Sequence, residues 1–306
     1  MTPTADQYQG ALVGLALGDA LGAPHEGGPL ERLLWRFLGS TQAGLRRFTD
    51  DTQMSVDLAL SLINRGAVDQ DDLAARFSKS YRWDRGYGPG AAKILKRVRA
   101  GHTWQEASRS VYPEGSFGNG GAMRSPVVGL FFHSRQDELL LAARLAAEVT
   151  HAHPLGMEGA ALIAGATAAA LDSPDAHVVF DTASRFSTSA EFSTKLSLAR
   201  GWLEAHRSVT PREVRSGLGM GITAPLSCVT ALYLAVRFLH ESLGALLAFV
   251  ATAGGDVDTV GAMAGAIWGA RNGFTNLPAD LVAQVEDATY IADIAGQLYA
   301  RAQAAC

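Results

Sequence analysis

Two short acidic motifs lie about two hundred residues apart and share one pattern. Phe48-Thr49-Asp50-Asp51-Thr52 sets adjacent carboxylates between hydroxyls where an apolar helical pattern begins. Gly254-Gly255-Asp256-Val257-Asp258-Thr259 again sets two carboxylates and a threonine at the front of a small-residue helix. Such oxygens are hard ligands, suited to Mg²⁺ or Mn²⁺ and poorly suited to zinc, which takes His and Cys. Asp50, Asp51, Asp256 and Asp258 carry −4 when all are ionised, the charge that two divalent cations balance. Without cations, converging carboxylates repel and some take up protons. Either motif alone is most economically a helix N-cap favoured by the helix dipole. The match between them, the recurring threonine and separate glycine loops able to hold an anion through backbone N–H groups favour a metal-dependent enzyme acting on a phosphorylated small molecule. That reading requires the two motifs to meet in space.

The glycine loops are Arg85-Gly86-Tyr87-Gly88-Pro89-Gly90 and Gly115-Ser116-Phe117-Gly118-Asn119-Gly120-Gly121-Ala122-Met123-Arg124. Glycine is 33 of 306 residues, about 11% against a usual ~7%, and its clustering suggests close approach of backbone to a ligand or tight turns. His151 and His153 are candidates for ligand contact, although two histidines beside Pro154 at a helix end are more often C-terminal caps. Asp19 is read equally as a site residue and as a polar group bonding backbone or water on an apolar helix. No G-x-S-x-G elbow and no P-loop is present, which removes the serine-hydrolase and P-loop nucleotide readings.

At 306 residues, 48% apolar and 18% charged, the chain can bury a large core. No uninterrupted apolar run reaches the roughly 18 residues of a membrane span, and the start lacks the basic n-region of a cleavable signal, so a cytoplasmic protein with no membrane partner is expected. A net charge of −4 without a basic patch disfavours nucleic acid. Cys228 and Cys306 form neither a disulfide framework nor a zinc spacing.

The elements that must position these groups read as helices. Asp6 with Gln9 suggests a first N-terminus, with Leu12, Leu15, Ala16 and Leu17 at helical spacing and a stop near Gly22-Ala23-Pro24. Met54, Leu58, Ala59, Leu62 and Ile63 form one face of the helix after the first motif, ending at Asn64-Arg65-Gly66. A helix over about 69–82 and another over 91–100 follow. The run Val127 to Phe132 is strand or buried helix by periodicity, and helix by context. Ser134 with Asp137 marks a further start, 160–171 is rich enough in Ala and Gly to be buried on more than one side, and Thr210-Pro211-Arg212-Glu213 is a capping box with Pro at N1. Helices over 226–238 and 243–253 and an amphipathic tail from Pro278 to about Ala302 complete an all-α chain, a single domain over 1–306 with no evident repeat.

The motifs, taken in order, resemble the ADP-ribosylglycohydrolase family. The likeness rests on Gly14-Leu15-Ala16-Leu17-Gly18-Asp19-Ala20-Leu21-Gly22 with Glu26, then Thr49-Asp50-Asp51-Thr52, Gly118-Asn119-Gly120-Gly121-Ala122-Met123-Arg124, Thr150-His151-Ala152-His153-Pro154 and Gly255-Asp256-Val257-Asp258-Thr259. The resemblance implies a compact orthogonal helix bundle and two divalent cations, Mg²⁺ with Mn²⁺ as the alternative. By it Thr49, Asp50, Asp51, Asp256, Asp258 and Thr259 are metal ligands, and Glu26 matches the glutamate of a mobile loop near the scissile bond. Glu26, Asp50, Asp51 and Asp258 are then the catalytic carboxylates. Gly86, Gly88, Gly90 and the loop Ser116, Phe117, Gly118, Asn119, Gly120, Gly121 and Met123 would hold diphosphate and ribose, with His151 near the distal ribose. The implied reaction is hydrolysis of the C1″ bond between ADP-ribose and a protein side chain. The implied partner is an ADP-ribosylated protein or an ADP-ribose-containing small molecule, met by a monomer. Two rivals remain: a binding or structural protein of this fold without turnover, and a dinuclear phosphohydrolase that cleaves the diphosphate.

Overall fold

Caps and breakers written in the sequence set most element boundaries of the computed structural model, which describes residues 2–26, 35 and 37–304. The described residues form α1 Ala5–Gly22, α2 Asp50–Arg65, α3 Gln70–Ser80, α4 Pro89–Arg99, α5 Trp104–Val111, α6 Gly120–Met123, α7 Pro126–Phe131, α8 Gln136–Glu148 and α9 Pro154–Asp172. They continue with α10 Ala176–Ser184, α11 Ala190–Glu204, α12 Pro211–Gly217, α13 Ala224–Arg237, α14 Leu243–Ala253, α15 Val257–Asn272, α16 Ala279–Val282 and α17 Ala288–Gln303. Among these residues there is no strand, only isolated bridges such as Gly118 with Thr223. The all-α expectation holds, and Cys306 lies outside the described residues.

Several boundaries differ from the sequence reading. Helix α1 starts at Ala5, because Thr4 and Gln7 form the reciprocal capping box; Asp6 is freed to accept from the backbone N–H and hydroxyl of Thr275. Arg135, not Ser134, occupies the N-cap position of α8, shifted by a turn in which the Arg135 N–H reaches the Phe132 carbonyl. The tail is two helices, since between them the chain pairs with Arg46, which donates to the Gln284 carbonyl and accepts from the Glu286 N–H. His153 caps the N-terminus of α9, its Nδ1 accepting from the Leu155 N–H at 3.1 Å, where a C-terminal cap was expected.

Glycine recurs every fourth residue on α1 (Gly10, Gly14, Gly18, Gly22) and on α15 with its C-cap (Gly261, Gly265, Gly269, Gly273). The two rows face each other antiparallel: a methyl on Gly18 would overlap the Gly261 carbonyl, one on Gly14 would sit 2.5 Å from the Gly265 carbonyl oxygen, and one on Gly22 2.6 Å from the Asp258 Cα. The backbones touch because nothing lies between them. It fixes the start of α15, with Asp256 and Asp258, beside the end of α1. Around it one contiguous apolar core runs from Tyr8 to Ala302. Helix α9, the one described helix long and apolar enough to cross a membrane, has 78% of its apolar window buried inside the fold.

Candidate metal centre and active site

The two acidic motifs meet. Thr49 caps α2, its hydroxyl accepting from the Asp51 N–H at 3.2 Å, and this places Asp50 and Asp51 in the first turn without spending either carboxylate on the cap. At the far end of the chain Gly255, with φ of 92°, takes a left-handed turn that costs a side-chain-bearing residue energy. A Cβ there would also overlap the Met220 carbonyl, the group that accepts from the Asp256 N–H at 3.0 Å. Asp256 then sits at the N-cap position of α15 with no side-chain cap bond. None of Asp50, Asp51 and Asp256 caps its helix with its side chain; Asp258 Oδ1 accepts the Thr259 N–H at 2.9 Å, which leaves its other oxygen open, so capping accounts for only part of these carboxylates.

The donors have the chemistry of a cation site. Carboxylate oxygens of Glu26, Asp256 and Asp258 lie within 4.8 Å of one another. Thr49, Asp51, Asp256, Asp258 and Thr259 are all buried, and Asp51 Oδ2 has no hydrogen-bond partner, a cost a buried carboxylate does not normally bear. Burial first, and then the charges of Asp19 and Asp50, push the Asp51 carboxyl well above its usual range. Asp50 is raised by burial and by Asp19, and Asp258 by burial and by Glu26 and Asp256. Asp256 is raised by burial, against which the Asn119 amide works by donating to its Oδ2 at 2.5 Å. A group of carboxylates that raise one another in this way fits divalent cations, which would remove the repulsion.

Groups given no metal-ligand role hold this geometry. Asp19, fully buried on α1, accepts from the Thr49 N–H at 2.9 Å, the Thr52 N–H at 3.0 Å and the Thr52 hydroxyl at 2.6 Å. It thus spends its charge on the N-terminus of α2, and Thr52 is a structural hydroxyl. Arg85 and Glu286, a buried ion pair, grip Phe48 from both sides: Glu286 accepts the Phe48 N–H at 3.0 Å and Arg85 donates to the Phe48 carbonyl at 2.6 Å. The Arg85 carbonyl accepts the Asp50 N–H at 2.7 Å. No local pattern links Glu286 to residue 48; only its proximity in space does. Glu286→Gln is expected to cost about 1–3 kcal/mol, because the guanidinium loses its counter-charge while the amide still accepts; urea denaturation with Mg²⁺ present and absent checks this.

A cavity of about 350 Å³ opens over the carboxylates. Of the residues named from sequence, Glu26, Asp50, Asp51, Gly86, Gly88, Gly90, Ser116, Gly118, Asn119, Gly120, Met123, His151, Asp256, Asp258 and Thr259 line it. Thr49 is buried behind Asp50, and two others stand apart from the lining. Phe117 packs its ring 5.4 Å from that of His153 and gives its carbonyl to the Ala224 N–H, while Gly121 makes room for Ala147, whose Cβ would be 2.8 Å from an added methyl. Tyr87, within the first glycine loop, and Tyr112 and Ile222, which lie in no motif, also line the cavity. Glycines and carboxylates line the same cavity, a combination suited to an anionic, hydroxyl-rich ligand.

The ADP-ribosylglycohydrolase family profile matches residues 1–306. The chain belongs to the ADP-ribosylglycohydrolase family. It is 34% identical to the ADP-ribosylhydrolase ARH3 of Danio rerio, over 96% of this chain and 90% of that one. To the ADP-ribosylhydrolase ARH3 of Homo sapiens it is 33% identical, over 89% and 87%. A solved ADP-ribosylglycohydrolase-related protein complex superposes with a TM-score of 0.73 at 26% identity, covering 97% of this chain and 98% of that chain. The ADP-ribosylglycohydrolase fold is therefore shared along nearly the whole length, and both halves of the acidic site fall inside the match.

Proposed function

We propose that this ADP-ribosylglycohydrolase hydrolyses the C1″ glycosidic bond between ADP-ribose and a protein side chain, releasing ADP-ribose. The observation that carries the reading is that Glu26 and both aspartate motifs line one cavity with the glycine loops. Thr49, Asp50, Asp51, Asp256, Asp258 and Thr259 would hold two divalent cations, Mg²⁺ or Mn²⁺. Bound there, cations would orient substrate oxygens and lower the pKa of a water.

The protein's own groups do the rest. Gly86, Gly88, Gly118 and Gly120 leave backbone open toward the diphosphate, as glycine loops do for anions. Asn119 keeps Asp256 in place through its amide, and Asp19 and the Arg85–Glu286 pair keep Asp50 and Asp51 aimed into the cavity. Glu26 follows the short 3-10 turn Ala23–His25 at the end of α1 and is only half-buried, so it can exchange a proton with solvent. In this reading Glu26 takes the proton of the attacking water and returns it to the departing side chain, while the surrounding carboxylates favour positive charge developing on the sugar carbon, as in other glycoside hydrolyses.

The test is the release of free ADP-ribose from a modified protein, identified by mass, with Mg²⁺ and with EDTA. Metal-dependent ADP-ribose supports the reading; AMP as product would establish a phosphohydrolase, and binding without release a protein that recognises ADP-ribose but does not cleave it. Glu26→Gln is expected to lower kcat by about 10²-fold, within the range of general-base losses, as read by ADP-ribose release at saturating Mg²⁺.

A further inference from the structure

Arg124 is fully buried on the turn after α6, an uncommon place for a guanidinium, and its contacts explain why it is there. It donates to the Gly120 carbonyl at 2.8 Å, to the Ala146 carbonyl at 2.7 Å and to the Thr150 hydroxyl oxygen at 2.9 Å, and stacks 4.9 Å over the Phe77 ring. Thr150, itself buried, lies 2.8 Å from His151 Nδ1. A guanidinium has donors only, so Arg124 occupies a lone pair of the Thr150 oxygen and the hydroxyl hydrogen must go elsewhere. The acceptor within reach is His151 Nδ1. Were Nδ1 protonated instead, the Thr150 oxygen would accept twice and its own buried hydrogen would be left without a partner, at a cost of about 1–3 kcal/mol.

We propose that Arg124 and Thr150 are positioning residues that fix His151 as a neutral imidazole whose Nε2–H is offered to the cavity. His151 lines that cavity, and its Nε2 edge lies against Gly118 and Gly120, where added Cβ atoms would come within 3.1 and 2.8 Å of it. The nitrogen is therefore held among the backbone groups assigned to the diphosphate. Burial, and then the charge of Arg124, hold His151 far below its usual range, at about 3, which agrees with a ring kept uncharged. His151 then works as a fixed hydrogen-bond donor to a phosphate or hydroxyl oxygen of the ligand, and not as an acid or base. The same guanidinium ties the Gly120 carbonyl to the end of α8, so loop and imidazole move as one body.

The role of the donor rests on the ADP-ribose reading, but the tautomer does not, and it can be measured without substrate. Long-range proton–nitrogen correlation spectra of the Mg²⁺-loaded protein at pH 7.5, with the His151 signals assigned by their loss in His151→Gln, should show the pure Nε2–H tautomer. Thr150→Val should give a tautomer mixture and weaken ADP-ribose binding about three- to ten-fold, and Thr150→Ser should restore both. A wild-type Nδ1–H ring, a charged ring, or a Thr150→Val spectrum identical to wild type overturns the proposal. Normal tautomer behaviour with no affinity for ADP-ribose in any variant would keep the network and reject the substrate.

Discussion

Asp258→Asn is expected to reduce ADP-ribose release by about 10³-fold, beyond the roughly 10–100-fold that loss of an outer-shell partner costs a metal site. The carboxylate is buried on the first turn of α15 beside Glu26 and Asp256, and burial and the charges of Glu26, Asp256, Asp51 and Asp19 raise the cost of its ionisation. A measurement independent of turnover separates a metal centre from a structural cluster. In EDTA the variant should melt a few degrees above wild type, since one member of a repelling set has been made neutral. With Mg²⁺ the order should reverse, because binding to the native state stabilises by RT ln(1 + [L]/Kd) and wild type binds more tightly. Equal melting temperatures in both buffers, together with unchanged activity at limiting Mg²⁺, would sink the metal assignment.

The second large effect is expected far from any charge. Gly18→Val should cost more than about 5 kcal/mol and leave little folded protein, exceeding the usual ~1–3 kcal/mol of overpacking. The added atoms would overlap the carbonyl of Gly261, which is backbone and cannot move aside as a flexible side chain does. Gly18→Ala should fold with a smaller loss and displace α15, and with it Asp256 and Asp258, so that Mg²⁺ affinity falls together with stability. The control is Gly201→Ala on the exposed face of α11, where an added methyl meets nothing within 4 Å. There the change should stabilise by about 0.5–1 kcal/mol, the propensity difference between the two residues in a helix. Thermal denaturation of the three variants decides whether the glycine rows act through close packing.

Part of this protein could be read along the chain because local chemistry declares itself locally. Thr210 with Glu213 forms the capping box its spacing suggests, Gly66 ends α2 in the left-handed conformation expected of it, and α9 is buried along its Ala-rich length. The acidic motifs were legible for a different reason, since two copies of one pattern are more informative than either. The misread boundaries share a cause: Asp6, Ser134 and His153 each had a plausible local role, and a competing partner close in sequence or far away took it. The glycine rows were visible as a four-residue spacing on each helix but gave no signal singly, because a small residue shows what it permits and not what approaches it.

The sequence by itself determined the helices, the donor chemistry of Thr49, Asp50, Asp51, Asp256, Asp258 and Thr259, and a resemblance spanning most of the chain. Only the tertiary structure decided that the donors converge, that Thr49 and not an aspartate caps α2, and that Asp19, Arg85, Glu286 and Arg124 serve the site. Helix formation and ligand hardness are properties of residues and near neighbours, whereas convergence depends on backbones meeting across about 240 residues of chain, as Gly18 meets Gly261. A buried charge such as Arg124 or Glu286 is written as one letter, and its function exists only in the carbonyls and carboxylates that the folded chain brings to it.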